Sequence, residues 1–440
     1  MSNAAQAAAA AGRITGVAAC ARPPALFGFC IDEPVPGVTL TSYELVVRGW
    51  VLGRESAVTT VELLDTSLDK VIRRAEVGQR RDDVAPHFPG VADAARSGFR
   101  VAVGLLGLQP QAALDVVAVT ENGARVALAR IDIDRHPLQT GYRPQLNPLM
   151  VSSLGRCGST WLMRLLARHP AVVVHERHPF EARLSKYFVH NVLKALAEPS
   201  EYLSTAEPDE LYAANCAWLT HELVHDAELH GELRKHYIER LAGFCQQEID
   251  RSYGRLDERR TLPERVEVAR FFAEKYGPGH NPRLMWELYP QAREIILVRD
   301  FRDMFCSVRA FNARRGVRDF GLQEARCERE AVDATARRAA SLLKSVASRR
   351  QPVHVLRYED LVTEPEATLA AVLAYAGLSH DTARIRDMLN SAGQGQGDHA
   401  TSASVAESLG RWRRELDPTL QAYCTAALGK ALGAFGYETQ

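Results

Sequence analysis

The chain carries no excess of either charge: 54 Lys and Arg stand against 54 Asp and Glu in 440 residues. Zero net charge removes any global pull toward nucleic acid or acidic lipid, so a site for a polyanion must be a local basic patch. The eight Cys include no CxxC pair and no Cys/His cluster at zinc spacing. They read as reduced thiols of a cytoplasmic protein, with no metal site among them. No stretch offers about 18 uninterrupted apolar residues, which argues against insertion into a membrane. The opening residues through Cys20 are Ala-rich, broken by Arg13 and short of Leu, Ile and Phe, a poor signal-peptide core. Residues 1–25 are therefore expected to form a disordered tail. Internal repeats are absent, and so is Gly-x-x-x-x-Gly-Lys followed by Ser or Thr, the loop of nucleoside-triphosphate enzymes. What is present is the composition of a globular protein, 46% apolar and 25% charged, long enough for more than one domain.

Residues 26–135 read as all-β. Tyr43–Val51, Thr59–Leu64, Gly98–Val103, Leu114–Val119 and Val126–Ile131 have strand composition, with turn signals such as Glu121-Asn122-Gly123 between them. Short strands at regular spacing predict a β-sandwich. His136–Pro148, with three Pro and two Gln, reads as a linker. From Leu149 onward the pattern alternates. Strands are expected at 149–153, 171–175, 294–298 and 353–356, with helices from Ser159, from about 302, from about 365 and after Pro418. Continuous apolar strands alternating with helices predict a parallel sheet, hence an α/β domain over 149–440. Residues 181 to about 273 are charge-rich with helical periodicity, an insertion suited to an acceptor-binding lid.

Two segments carry the chemistry. Leu149–Ser153 is an apolar run entering Leu154-Gly155-Arg156-Cys157-Gly158-Ser159-Thr160-Trp161. Glu294–Val298 is a second run, ending in Arg299 and continuing to Ser307. A buried strand feeding a helix N-terminus aims free backbone N–H groups and the helix dipole at an anion. Two such sites in one α/β unit imply a ligand with two phosphate-like ends.

These residues resemble the sulfotransferases that use 3′-phosphoadenosine 5′-phosphosulfate (PAPS). The resemblance spans roughly residues 149–437. It implies a parallel sheet flanked by helices, with a P-loop-like 5′-phosphosulfate loop at Arg156, Cys157, Gly158, Ser159, Thr160 and Trp161. It implies that Arg299 and Ser307 hold the 3′-phosphate. Relatives often have Pro two residues after that Arg, where this chain has Phe301, and many carry Lys where it has Arg156. Glu274-Lys275 with Pro278 and His280 resembles a family segment whose Lys faces the sulfuryl group, although the spacing before the Pro is one residue longer. That assigns Lys275 to the leaving oxygen and makes His280 a second choice for the base. Tyr358, in Tyr358-Glu359-Asp360-Leu361, would sit near the adenine. The segment His399–Ser404 with Gly410-Arg411-Trp412 resembles a loop closing over the nucleotide, which places Ser402 and Arg411 there. Branches acting on glycans and protein tyrosine use a Glu soon after the second strand as base. Here that is Glu176, with His175 and His178 as neighbours.

The activity implied is sulfuryl transfer from PAPS to a hydroxyl or amine, most simply of a carbohydrate, leaving adenosine 3′,5′-bisphosphate and requiring no metal. The β-domain resembles accessory domains of bacterial surface-glycan enzymes through Gly49-Trp50, Arg81-Asp82-Asp83-Val84 with Phe88, and Ser97-Gly98-Phe99. A scaffold or dimerisation role reads equally well. Two rival functions stand beside this one. One is a P-loop kinase or NTPase, against which the loop has no Lys and too few residues between its glycines. The other is a glycan-binding protein with a decayed transferase domain, against which both Arg156 and Arg299 are present.

Overall fold

The computed structural model describes residues 10–196, 235–261, 267–277, 280–323, 325–392, 401 and 404–439. Its helices are α1 (Ser159–Ala167), α2 (Leu184–Leu196), α3 (Tyr237–Arg259), α4 (His280–Leu288), α5 (Phe301–Arg315) and α6 (Glu328–Ala347). After these come α7 (Tyr358–Thr363), α8 (Pro365–Ala376), α9 (Thr382–Ala392), α10 (Trp412–Glu415) and α11 (Pro418–Ala434). Two compact units divide the chain: Met1–Tyr142 with Ser185–Gln247, and Arg143–Leu184 with Glu248–Gln440. The described part of the charge-rich helical stretch is thus split between them.

The first unit holds β1 (Gly12–Ala19), β2 (Leu26–Glu33), β3 (Thr39–Leu40), β4 (Glu44–Gly53) and β5 (Val58–Asp65). It continues with β6 (Lys70–Glu76), β7 (Gly98–Gly104), β8 (Gln111–Thr120) and β9 (Arg125–Arg135). They form antiparallel sheets in the orders β3-β1-β9-β8-β5-β6 and β2-β4-β7. Alternate residues face inward, as along β4 where Leu45, Val47 and Val51 are buried. Both sheets feed one core: Ile14, Leu63, Val116 and Ile131 from the first meet Leu26, Val47 and Val101 from the second. The expected tail is corrected here. Gly12–Ala19 pairs along β9, and Ile14 is fully buried, so its short Ala-rich sequence supplies a strand within a larger sheet. The signature residues of this unit hold it together. Arg81 bridges Asp32 and Asp83, and Phe88 packs on Trp50 with ring centroids 5.6 Å apart.

The second unit is built on a parallel sheet of β10 (Asn147–Ser152), β11 (Val172–Val174), β12 (Phe271–Tyr276), β13 (Arg293–Val298) and β14 (His354–Arg357). Their spatial order is β11-β12-β10-β13-β14. Leu149, Met150 and Val151 of β10 and Ile295–Val298 of β13 are wholly buried, the continuous apolar run expected of a strand covered on both faces. β12 begins at the end of the stretch read as helical and runs past it. Its Glu274 and Lys275 look like surface charges, yet both are buried. Glu274 accepts hydrogen bonds from Tyr253 (2.6 Å) and Tyr276 (3.1 Å), which satisfy the carboxylate inside.

A second buried carboxylate locks the middle of the sheet. Glu294 accepts from Ser152 Oγ (2.7 Å), Trp286 Nε1 (3.2 Å) and Arg349 Nε (2.8 Å). After β12 the chain crosses from one side of β10 to the other, to form β13. In open α/β sheets such a switch point leaves a crevice at the carboxyl ends of the strands, where ligands bind. Here it lies where β10 runs into Arg156 and β13 into Arg299.

Candidate active site at the carboxyl ends of β10 and β13

The loop from Ser153 to Gly158 turns β10 into α1 by left-handed backbone at Gly155 (φ +89°), Arg156 (φ +58°) and Gly158 (φ +86°). Gly158 caps α1 with no side chain among the described residues bonded to the helix end, which leaves first-turn N–H groups without a side-chain acceptor. A Cβ at Gly158 would lie 2.4 Å from the Tyr358 ring, which explains why only glycine fits between loop and ring. Cys157 is turned away. It is buried, its thiol reaches Gly155 O and Met304 Sδ, and burial pushes its pKa up to about 12. Such a thiol is inert, and Cys157 offers a ligand its backbone only.

Four basic and hydroxyl groups meet across β10 and β13. Arg156 donates from Nε to Ser307 Oγ (3.3 Å) and lies over the Phe311 ring, 4.5 Å from its centroid. Arg299 is buried, stacks 4.8 Å above the Tyr358 ring and donates to the carbonyls of Arg156 and Ser408. Its buried Nε has no hydrogen-bond partner among the described residues. Ser307 also shares a 3.0 Å hydrogen bond with Thr401. Arg156 has its pKa lowered to about 10, first by burial and then by the nearby charges of Arg299 and Arg411. A buried guanidinium beside a second cation is the setting in which an anionic ligand forms strong, charge-assisted hydrogen bonds.

Lys275 reaches the same cleft from β12. Its Nζ donates to Thr160 Oγ1 (2.9 Å) and Pro179 O (2.5 Å), and stands 3.8 Å from Glu181 Oε1. Burial lowers its pKa to about 8, with Arg183 and Arg156 adding to the effect and Glu181 opposing it. Together these groups line a cleft of about 820 Å³ that also includes Ser159, Trp161, His178 and Tyr358. Trp161 is half-buried and packs on the core while lining the cleft, so it serves both purposes.

The other residues named from the sequence fall differently. Glu176 is exposed, ion-paired with Arg168, and does not line the cleft; the carboxylate that lines it is Glu181. The cause is a turn at Phe180, buried at φ +65° with its N–H bonded to Arg177 O, which swings the following residues inward. His280 opens α4. Ser402 lies outside the described residues; Thr401 beside it supplies the hydroxyl that meets Ser307. Arg411 is buried and acts one step back, gripping Thr401 (3.1 Å) and Glu415 (2.7 Å). Sequence spacing missed Asp303, which accepts from Gly410 N (2.7 Å) and Trp412 N (2.9 Å) and so fixes the turn carrying Arg411. Burial raises its pKa to about 6. Its position one turn into a helix, four residues after Arg299, was the available signal.

Among the described residues no group of His, Cys, Asp or Glu could hold a metal ion, and no helix is long and apolar enough to cross a membrane.

Fold and site thus define an α/β protein with a cleft of basic and hydroxyl groups at a switch point of its parallel sheet. The profile of the sulfotransferase family matches residues 148–382, more than half of the chain. The chain belongs to that family, and its reaction class is sulfuryl transfer. Among solved structures it is similar to the sulfotransferase domain from the curacin biosynthetic pathway. That match has 17% identity over 68% of this chain and 99% of that one, with a TM-score of 0.36. A sulfotransferase from Alicyclobacillus acidocaldarius matches at 17% identity over 67% and 97%, with a TM-score of 0.35. STF9 from Mycobacterium avium matches at 14% identity over 67% and 78%, also with a TM-score of 0.35. No curated protein matches the chain in sequence.

Proposed function

We propose that the protein transfers a sulfuryl group from PAPS to a hydroxyl or amine of a carbohydrate or similar acceptor. When bound, PAPS supplies the activated sulfuryl group; all else is the work of this chain. The observation that carries the reading is the meeting of Arg156, Arg299 and Ser307 at the switch point, with the Arg156 pKa lowered by burial and by Arg299, and a buried Arg299 Nε that has no partner among the described residues. Arg156 and the backbone and hydroxyls from Gly158 to Thr160 would hold the 5′-phosphosulfate. Arg299 and Ser307 would hold the 3′-phosphate, with Arg411 positioning Thr401 against Ser307. Tyr358 and Trp161 offer rings to the adenine, and Ser402 belongs to the segment expected to close over it.

Lys275 carries the positive charge that stabilises the leaving bridging oxygen as negative charge builds there. The acceptor proton must go to a base within hydrogen-bond reach of the reacting oxygen. Glu181, lining the cleft beside Lys275, fits that requirement better than Glu176, which is turned to Arg168. His178 also lines the cleft.

The test is incubation with PAPS labelled in the sulfuryl group and a panel of hydroxylated carbohydrates. Label should pass to an acceptor with stoichiometric release of adenosine 3′,5′-bisphosphate. Absence of both transfer and bisphosphate binding would overturn the reading.

A further inference from the structure

The cations of the cleft exceed what a donor with two anionic ends takes up. Arg156, Arg299 and Ser307 form one group around the switch point. On the other side of Thr160 stands a second group, Lys275, Arg183 and Glu181, close enough for Arg183 and Glu181 to act on the charge of Lys275 in opposite directions. Lys275 is committed to Thr160, Pro179 O and Glu181. Arg183 is not committed. Among the described residues its buried Nε has no hydrogen-bond partner, and no carboxylate pairs with it. Arg164 lines the same cleft, also without a paired carboxylate among the described residues. It lies on α1 four residues beyond Thr160, hence on the same helix face and one turn farther from the phosphate loop. Glu181 is the one carboxylate among the described residues lining the cleft, and Lys275 already engages it.

A wholly neutral acceptor would leave Arg183 half-buried beside another cation. Desolvating an uncompensated charge is costly, whereas an ionised partner offers a planar guanidinium paired hydrogen bonds. Resting on the sulfuryl-transfer reading above, we infer that the acceptor carries a fixed anionic group near the hydroxyl to be sulfated, a carboxylate or a phosphate or sulfate ester, and that Arg183, with Arg164, receives it. Arg183 is then a specificity residue: it selects an acidic acceptor over its neutral counterpart.

The experiment uses the full chain saturated with adenosine 3′,5′-bisphosphate, whose own titration is recorded first. Glucuronate, glucose 6-phosphate and glucose are then titrated by calorimetry into wild type and Arg183→Gln. At least one of the two anions should bind about tenfold or more tightly than glucose, the scale of one charge-assisted hydrogen bond. The carboxylate and phosphate arms show which anion is preferred. In Arg183→Gln the anion preference should vanish while bisphosphate affinity is retained. Equal affinities for glucose and the anions, no anion binding at all, or anion binding that survives Arg183→Gln would overturn the inference and leave the donor site standing. Failure of the first titration would instead remove the sulfuryl-transfer reading, and this inference with it.

Discussion

Replacing Lys275 by Met should disable transfer and stabilise the protein at once. The side chain is charged at neutral pH although burial brings its pKa from 10.5 down to about 8. The unfolded chain thus binds the proton more tightly than the native one. Converting that difference to free energy gives roughly 3 kcal/mol of native-state cost at neutral pH. The sign follows from linkage: between about 8 and 10.5 the unfolded state holds more protons, so stability rises with pH across that window. Met removes the cost and also the donors to Thr160 Oγ1 and Pro179 O, a loss of about 2 kcal/mol for two net hydrogen bonds. The remainder, about 1 kcal/mol, should raise Tm by about 2 °C. Transfer should fall by about 10²–10³, the usual effect of removing one group that stabilises charge in the transition state. Wild-type turnover should decline as pH rises through about 8, where Lys275 loses its charge, and the variant should lack that limb. Scanning calorimetry and rate–pH profiles on both proteins check this. A variant with lowered Tm, or one that keeps wild-type turnover, would refute the reasoning.

Glu181→Gln should abolish turnover with bisphosphate affinity intact, while Glu176→Gln should keep most turnover; the reverse pattern in steady-state kinetics would return the base to Glu176. Arg349→Ala should destabilise the second unit by about 3–5 kcal/mol, because it leaves the buried Glu294 carboxylate uncompensated. Denaturant unfolding reads that loss, and a change below about 1 kcal/mol would show that Ser152 and Trp286 suffice to hold the charge.

The parts of the site legible in the sequence are those governed by chain-local rules. β10 and β13 read as strands because a strand covered on both faces is a mostly continuous apolar run, and the loops after them are polar because they begin helices. Arg156, Arg299 and Ser307 follow at fixed offsets from those strand ends. β12 was hidden by Glu274 and Lys275, whose burial depends on hydroxyls from Tyr253, Tyr276 and Thr160, two of them remote in sequence. The carboxylate of the cleft was misplaced for a related reason. Whether Glu176 or Glu181 faces inward is decided by the reversed backbone at Phe180, and a non-glycine residue at positive φ leaves no mark in composition. Thr401 and Asp303 owe their roles to contacts spanning about a hundred residues, which no local spacing encodes. Gly12–Ala19 lacks the composition of a strand and is held in place by its partner β9.

The two-anion site is tested most directly by calorimetric titration of adenosine 3′,5′-bisphosphate against 5′-AMP and ATP, without magnesium, into wild type and Arg299→Ala. Wild type should bind the bisphosphate far more tightly than either other nucleotide. Arg299→Ala should weaken that binding by about 1.5–3 kcal/mol, the worth of hydrogen bonds to a charged group. Equal binding of 5′-AMP and the bisphosphate, or bisphosphate affinity unchanged in Arg299→Ala, would contradict the assignment of Arg299 to the 3′-phosphate and the site built around it.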